Sequence, residues 1–566
     1  MTHVDLVVVG GGITGLAAAW EARQRGAEVL VLEAGDQAGG MLRTSPVAGI
    51  PLDESADAFL ARVPEAVTLC TELGLATELV SPATGRAYVW VDGSLRCLPE
   101  AHLLGVPTDL EAVESTGILS PDGLARAHQD LRRHDAWVPA TAGAPPAADP
   151  TKARDDQAGA TAHRGAAPAD ESVGALVRRR LGDEVLDRLV APLVGGIWAG
   201  DCDRLSLQAA TPALAEARSR APSLVEGAAS VRADALASAA RDPGSSEAQQ
   251  ASAASAGGRH DHKRAAPGAP RPVFLAPRGG MAQLVEALRA ALGDRLRTGH
   301  TVTAIEPMST TGRGRWCIHV APSPDRGSTG LDTRHPFATS GQNVAAPDAD
   351  HTAGTRRTAR PTGDTDRAIT ADGVVVATPA FAAAPLVAPH CPGATATLAS
   401  IEYASVALVA LAVPRGGVDR PLDGSGFLVP PSAGRTLTAC SWTSSKWPHL
   451  TEGAGAGDLV LLRASAGRDG DDRALALDDA KLVDAVLADL ADAMGLRAAP
   501  VDVRVSRWLQ SFPQPRPGHL DRVATLEVEL ARDAPGLLVA GAWARGVGIP
   551  ACIRAGRHAT RAALSL

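Results

Sequence analysis

Six residues near the start, Gly10-Gly11-Gly12-Ile13-Thr14-Gly15, constrain the fold more than any other part of the chain. They follow an apolar run that includes Val4, Leu6, Val7, Val8 and Val9, and they precede residues 16–25, which read as an amphipathic helix. Glu28-Val29-Leu30-Val31-Leu32 then reads as a second strand, with Glu33 at its end. Each part has a physical task. Gly10 allows a tight turn, Gly12 lets backbone approach a pyrophosphate, and Gly15 lets the helix close on the strand. The helix N-terminus faces the phosphates, and Glu33 is placed to accept a ribose hydroxyl. The combination predicts an adenine dinucleotide site on a Rossmann-like α/β unit.

The residues after Glu33 narrow the ligand. Gly39 and Gly40 supply another close backbone approach shortly after the ribose carboxylate, which a nicotinamide enzyme does not need. The run Glu33-Ala34 to Gly40-Met41-Leu42-Arg43 resembles the E-x6-GG-x-x-R pattern of flavoproteins in the amine oxidase and phytoene desaturase superfamily. That resemblance implies FAD. Arg43 becomes a pyrophosphate partner, because its guanidinium fork matches phosphate oxygens, or is a surface arginine.

At 566 residues the chain exceeds what one core supports, so two or more domains are expected. A net charge of −8 argues against a general nucleic-acid binder, and aromatics at 3% leave no stacking platform for single strands. Seven cysteines, scattered without a CxxC, read as reduced thiols in a cytoplasmic protein. There is no basic n-region with a cleavage site and no unbroken apolar run of about 18 residues, so neither a secretory signal nor a membrane span is expected. Peripheral membrane contact is left open.

Three stretches, residues 139–170, 237–272 and 321–367, are rich in small and polar residues and are expected to be disordered loops. His260-Asp261-His262 falls in the second and is taken as a chance cluster. Residues 173–193 read as one helix, with Val177, Leu181, Val185, Leu186 and Leu189 as its stripe. Gly279-Gly280 leads into a helix ending near Leu292, and Leu482, Val486 and Leu490 line another. Residues 302–305 and 374–379 read as buried strands, and residues 403–413 and 458–464 as antiparallel ones. Near the end, Leu537-Leu538-Val539-Ala540-Gly541 is a strand entering a second glycine turn, followed by Gly546-Val547-Gly548-Ile549-Pro550 and a helix from about Ala551. The expected architecture is a discontinuous Rossmann-like FAD domain (residues 1–85, 273–390 and 501–566). It is joined to a substrate domain with a helical part (86–236) and a mixed or antiparallel sheet (391–500), residues 237–272 being a low-complexity loop.

Five further stretches carry a more specific resemblance. They are Arg86-Ala87-Tyr88-Val89-Trp90 running to Gly105-Val106-Pro107-Thr108; Gly195-Gly196-Ile197-Trp198-Ala199-Gly200-Asp201; Cys440-Ser441-Trp442 with Lys446-Trp447-Pro448-His449; Pro513-Gln514 with Gly518-His519; and Gly546 to Pro550 with Cys552. Together they resemble the oxygen-dependent protoporphyrinogen/coproporphyrinogen oxidase family. The Gly105 and Lys446 stretches are similar to its Gram-positive branch, which implies coproporphyrinogen III ahead of protoporphyrinogen IX. The chain departs from the family pattern at Ser55, Pro515 and Ala551, and Ala551 is expected to leave the terminal helix without a good N-cap, at about 1 kcal/mol.

The resemblance implies six-electron oxidation of a porphyrinogen, hydride passing to flavin N5 and dioxygen ending as hydrogen peroxide. The hard chemistry is the cofactor's, so neither an acid–base dyad nor a metal is expected. It implies cofactor contacts from Gly10, Gly11, Gly12, Ile13, Thr14, Gly15, Glu33, Ala34, Gly40, Met41, Leu42, Arg43, Val302, Trp447, Gly541, Val547, Gly548 and Ile549. Gly196 would lie against the tetrapyrrole, or be a plain turn glycine. Arg86 would pair a propionate, or be a solvated arginine, with Arg62 and Arg96 as weaker candidates. Trp447 packs on the flavin or serves as a core tryptophan, and His519 is assigned to turn structure. The partners implied are a tetrapyrrole and dioxygen, with product transfer to a ferrochelatase left open. A flavin amine oxidase, a phytoene-type desaturase and a non-catalytic flavin-binding protein are the alternatives.

Overall fold

Strand Thr2–Val9 lies at the middle of a seven-stranded sheet, because Val4, Leu6, Val7, Val8 and Val9 are buried on both its faces. The computed structural model describes residues 2–132, 170–241, 272–308, 315–323, 368–452 and 457–565. Val29–Leu32 and Ile369–Val376 flank the first strand in parallel, as buried Val/Ile/Leu strands do in doubly wound folds. Leu537–Val539 adds a further parallel strand, pairing with the second half of Ile369–Val376. Trp316–Pro322 and His300–Pro307 extend the sheet as an antiparallel edge.

One face is covered by the helices Ile13–Gln24, Ala282–Leu292 and Ile549–Leu564. The first of these is buried from Thr14 to Ala22, not amphipathic as expected, because the terminal helix lies across its outer side. A Cβ on Gly556 would run into the carbonyl of Thr14, and Thr560 Oγ1 donates to the Ala18 carbonyl at 2.9 Å. The two ends of the chain are therefore packed backbone to backbone.

The second unit is a seven-stranded mixed sheet in the order Asp502–Pro513, Tyr403–Pro414, Leu459–Ala466, Leu437–Trp442, Gly426–Leu428, Tyr88–Val91 and Ser94–Cys97. Asp502–Pro513, grouped with the nucleotide unit on sequence, hydrogen-bonds along Tyr403–Pro414 here. Helix Asp479–Met494 covers one face through Leu482, Val486, Leu490 and Met494. Beside this sheet stands a helical part with its own core, built from segments between Leu110 and Arg241.

The helix expected over residues 173–193 is broken. Val173–Leu181 ends at Gly182 (φ +94°), where Arg126 donates to the Arg178, Arg179 and Arg180 carbonyls and caps the end. The chain resumes through a π-turn, Leu186–Val190, into helix Ala191–Trp198. All five stripe residues are buried nonetheless.

The three low-complexity stretches, His260-Asp261-His262 among them, lie almost wholly outside the described residues. Their described margins are ordered. Helix Leu224–Arg241 takes in residues 237–241, whose alanines favour helix, and Ala321 and Pro322 pair with Thr301 and His300. No described helix is long and apolar enough to cross a membrane, and all seven cysteines are free.

Candidate cofactor and substrate site

The first glycine turn is over-determined. Gly10 has φ +104° and donates to the Leu32 carbonyl at 2.8 Å, a conformation L side chains avoid. A Cβ on Gly15 would strike the Gly10 carbonyl. Above Gly12, by contrast, nothing lies within 4 Å of where a Cβ would stand. Gly12 caps the helix that begins at Ile13 and Thr14, and among the described residues no side chain satisfies the N–H groups of its first turn. The Gly39 N–H donates to the Gly11 carbonyl at 2.8 Å, and Gly40 stands against the Cα of Gly12. An uncapped twelve-residue helix opening on empty space is the cradle a pyrophosphate needs, so these residues fit the group.

Glu33 is held for its role by two amides. Gly11 N–H donates to one carboxylate oxygen at 2.6 Å and Gly35 N–H to the other at 2.7 Å. The Glu33 carbonyl accepts from His300 N–H at 2.9 Å, and the Ala34 carbonyl accepts from Ser323 Oγ at 2.6 Å. Val302 is buried two residues beyond His300, packed with Leu30 and Leu32. The Glu33 carboxylate and the strand that carries Val302 are thus brought together.

The cradle ends against the second unit. Leu42 enters the core of the first unit, whereas Met41 packs on Ala199, Ala404, Val406 and Trp508. Arg43 lies over the Trp508 ring, 5.9 Å from its centroid, and its Nε donates to the Gly40 carbonyl at 3.2 Å. Trp508 was missed on sequence. Its position in a strand of alternating burial was the only signal, and only the register places it beside Arg43.

At the terminal turn, Trp543 Nε1 donates to the Thr378 carbonyl at 3.3 Å across Gly541. Val547 packs on the helical core, and exposed Gly548 is the N-cap of helix Ile549–Leu564, again without a side-chain cap. Ala551 is therefore inside the first turn and is not the N-cap; Pro550 starts the helix earlier than expected. His519, assigned to a turn, begins helix His519–Asp533. Its buried Nε2–H donates to the carbonyls of Trp543 (2.8 Å) and Ala544 (3.1 Å), and burial pushes its pKa down although both bonds oppose this. The ring is a strut under the terminal turn.

Trp447 is buried in the core that also holds Leu16, Leu42, Ala540 and Ile549. Its Nε1 donates to Asp57 at 3.2 Å, and it lines a small pocket with Asp53, Gly280 and Arg463. Burial raises the Asp57 pKa, yet Lys446 Nζ at 3.0 Å from both oxygens and Arg463 at 3.4 Å hold it well below the carboxylate range. This cluster ties the nucleotide unit to the second sheet.

Among the residues expected to meet the substrate, Gly196 is exposed on helix Ala191–Trp198, with Leu428 3.6 Å from where a Cβ would stand. Its neighbour Ile197 is 46% exposed, a large apolar side chain beside a bare backbone. Arg86 is exposed and paired with Asp423 at 3.0 Å, where Tyr88 OH also donates at 2.8 Å. Arg62 is exposed, and Arg96 stands against Gly117 with its buried Nε unpartnered. These three arginines face different neighbours and form no common carboxylate site.

The flavin containing amine oxidoreductase family matches residues 13–320 and 351–564. A coproporphyrinogen III oxidase from Bacillus subtilis is 31% identical over 99% of this chain and 98% of its own length. One of the same name from Mycobacterium tuberculosis is 32% identical over 99% and 97%. A crystal structure from Exiguobacterium sp. 255-15 superposes with a TM-score of 0.70 at 24% identity, covering 100% of this chain and 99% of its own.

Proposed function

The chain belongs to the flavin containing amine oxidoreductase family, and on that premise we propose that it oxidises coproporphyrinogen III to coproporphyrin III. Six electrons and six hydrogens leave the substrate and three dioxygen molecules become three hydrogen peroxide. The observation that carries this reading is the full-length similarity to coproporphyrinogen III oxidases, joined to a cradle whose open helix N-terminus and oriented carboxylate suit FAD.

Bound FAD supplies the hydride acceptor and the route of electrons to dioxygen. The chain's own residues bind and orient. Gly10 to Gly15 would take the pyrophosphate with Arg43, Glu33 the ribose, and the backbone at Val302 the adenine. Gly40 to Leu42 give the second close approach, and Gly541 with Val547 to Ile549 would meet the isoalloxazine and ribityl end. Met41, Ala199, Val406 and Trp508 form an apolar seal between that end and the second sheet, which excludes water. Gly196 offers bare backbone to the flat face of the tetrapyrrole, and Arg86 pairs a propionate once it leaves Asp423. The division into nucleotide and substrate domains belongs to the same reading, with strand Asp502–Pro513 moved to the substrate domain, as do a cytoplasmic site of action and onward passage of the product to a ferrochelatase.

The test is incubation of the FAD-loaded chain with coproporphyrinogen III in air, with protoporphyrinogen IX in parallel. Porphyrin fluorescence should rise faster with coproporphyrinogen III, with about three peroxides per porphyrin. Rates equal to autoxidation on both substrates would remove the reading.

A further inference from the structure

Arg468 stands in the tight turn after strand Leu459–Ala466, and the turn is fixed from several sides. A Cβ on Gly467 (φ +91°) would stand 3.0 Å from the Ser405 carbonyl oxygen and 3.4 Å from the Cα of Val406. The Asp469 N–H donates to the Ala199 carbonyl at 2.7 Å, at the end of the helix that carries Gly196. Asp471 N–H closes the turn on the Arg468 carbonyl at 3.0 Å.

The acidic groups around it are already engaged. Asp469 is held by Arg204 (3.1 Å) and Arg516 (2.9 Å), and Asp471 by Arg473 at 2.7 Å. Asp187 accepts from the N–H and Oγ of Ser432. The guanidinium of Arg468 differs from all of these. It is half-buried, and among the described residues no hydrogen bond, ion pair or aromatic ring meets it. Burial pulls its pKa down, while Asp471, Arg473 and Asp187 are the charged groups that face it. A cation partly withdrawn from water without a partner costs free energy, and an anionic ligand removes that cost.

The position matches the substrate side. Two arginine segments meet the C-terminal turn of helix Ala191–Trp198. Near Gly196, Leu428 belongs to the strand whose preceding residue, Ser425, donates to the Arg86 carbonyl; one turn on, the C-cap Ala199 is bonded to the Arg468 turn. Coproporphyrinogen III carries propionates on opposite halves of the ring. Protoporphyrinogen IX keeps one pair and has vinyls in place of the other. Resting on the function proposed above, we infer that Arg468 binds a propionate that coproporphyrinogen III has and protoporphyrinogen IX lacks, and so determines which porphyrinogen is preferred. The site discriminates because a vinyl would leave the guanidinium half-buried and unpaired.

The FAD-loaded full chain is compared with R468Q and R468K on two readouts, KM for each porphyrinogen and fluorescence-quenching affinity for the products coproporphyrin III and protoporphyrin IX. In R468Q, KM and Kd for the tetra-acid compounds should rise roughly tenfold, those for the di-acid compounds by less than about twofold, and R468K should recover part of the loss. Equal loss on both substrates, or no loss on either, overturns the assignment. A wild type that oxidises neither porphyrinogen removes the function instead, while the product titrations still decide whether Arg468 reads the extra carboxylate.

Discussion

The nucleotide cradle and the substrate face are built on different physics. In the cradle the controlling groups are backbone atoms, and what matters is the absence of side chains: φ +104° at Gly10, no room at Gly15, open space above Gly12. Its acidic member, Glu33, is oriented by two backbone amides, those of Gly11 and Gly35. On the face proposed for the substrate, and where the second sheet meets the nucleotide unit, the controlling groups are long charged side chains whose partners lie hundreds of residues away. Arg86 meets Asp423, Lys446 and Arg463 meet Asp57, and Arg468 meets none among the described residues. A steric device is local and tolerates little; a charge arrangement is global and can be exchanged. The two should therefore respond differently to substitution.

The largest effect is expected in the cradle. Gly15→Ala drives a methyl into the Gly10 carbonyl in a helix buried all round, and should cost about 3 kcal/mol with loss of bound flavin. Flavin absorbance on purification and urea unfolding measure this; an FAD-loaded variant of normal stability would break the contrast.

Asp57→Asn comes next, because it leaves Lys446 and Arg463 buried against a neutral group. A loss of about 3–5 kcal/mol at pH 7 is expected. The folded pKa of Asp57 lies below that of an unfolded aspartate, about 3.9, so its contribution is complete above roughly pH 4 and declines as the pH falls toward the folded value. Wild type should lose stability along this acid limb more steeply than the variant, whose remaining loss comes from other paired carboxylates such as Glu21 and Glu171, so urea midpoints converging below about pH 3 are the checkable outcome.

Asp423→Asn sharpens the other side of the comparison. It releases Arg86 at an exposed rim, so stability should be unchanged while KM for coproporphyrinogen III falls about twofold. An unchanged KM would assign Arg86 to the Asp423–Tyr88 contact alone. Smallest of all, Ala551→Asp puts a carboxylate in the first turn of the terminal helix and should add about 0.5 kcal/mol, read as a small rise in Tm.

The cradle was legible because its causes are local. The glycine spacing, the buried strands and the acidic residue at the strand end each imply their structure without knowledge of distant partners, and residues 10–15, 33 and 39–43 stand together as that pattern requires. The terminal turn was legible for the same reason, except that Pro550 moved the helix start ahead of Ala551. Elsewhere, local pattern met tertiary context and lost. Gly182 broke a continuous apolar stripe because Arg126 caps there, and the amphipathic reading of residues 16–25 failed because a helix from the far end of the chain covers the polar side.

What the sequence determined by itself is the class of ligand, since a close backbone approach to phosphate demands glycine at fixed spacing whatever the rest of the molecule does. What the tertiary structure decided is how each arginine is buried and, among the described residues, which of them an acid already holds. Arg86, Arg62, Arg96 and Arg468 are alike as letters, and Gly467-Arg468-Asp469-Gly470 reads as a solvated turn. A guanidinium becomes a carboxylate site only when burial raises its cost and every nearby acid already has another partner. Both conditions depend on strands and helices far apart in the chain, so no window of sequence contains them.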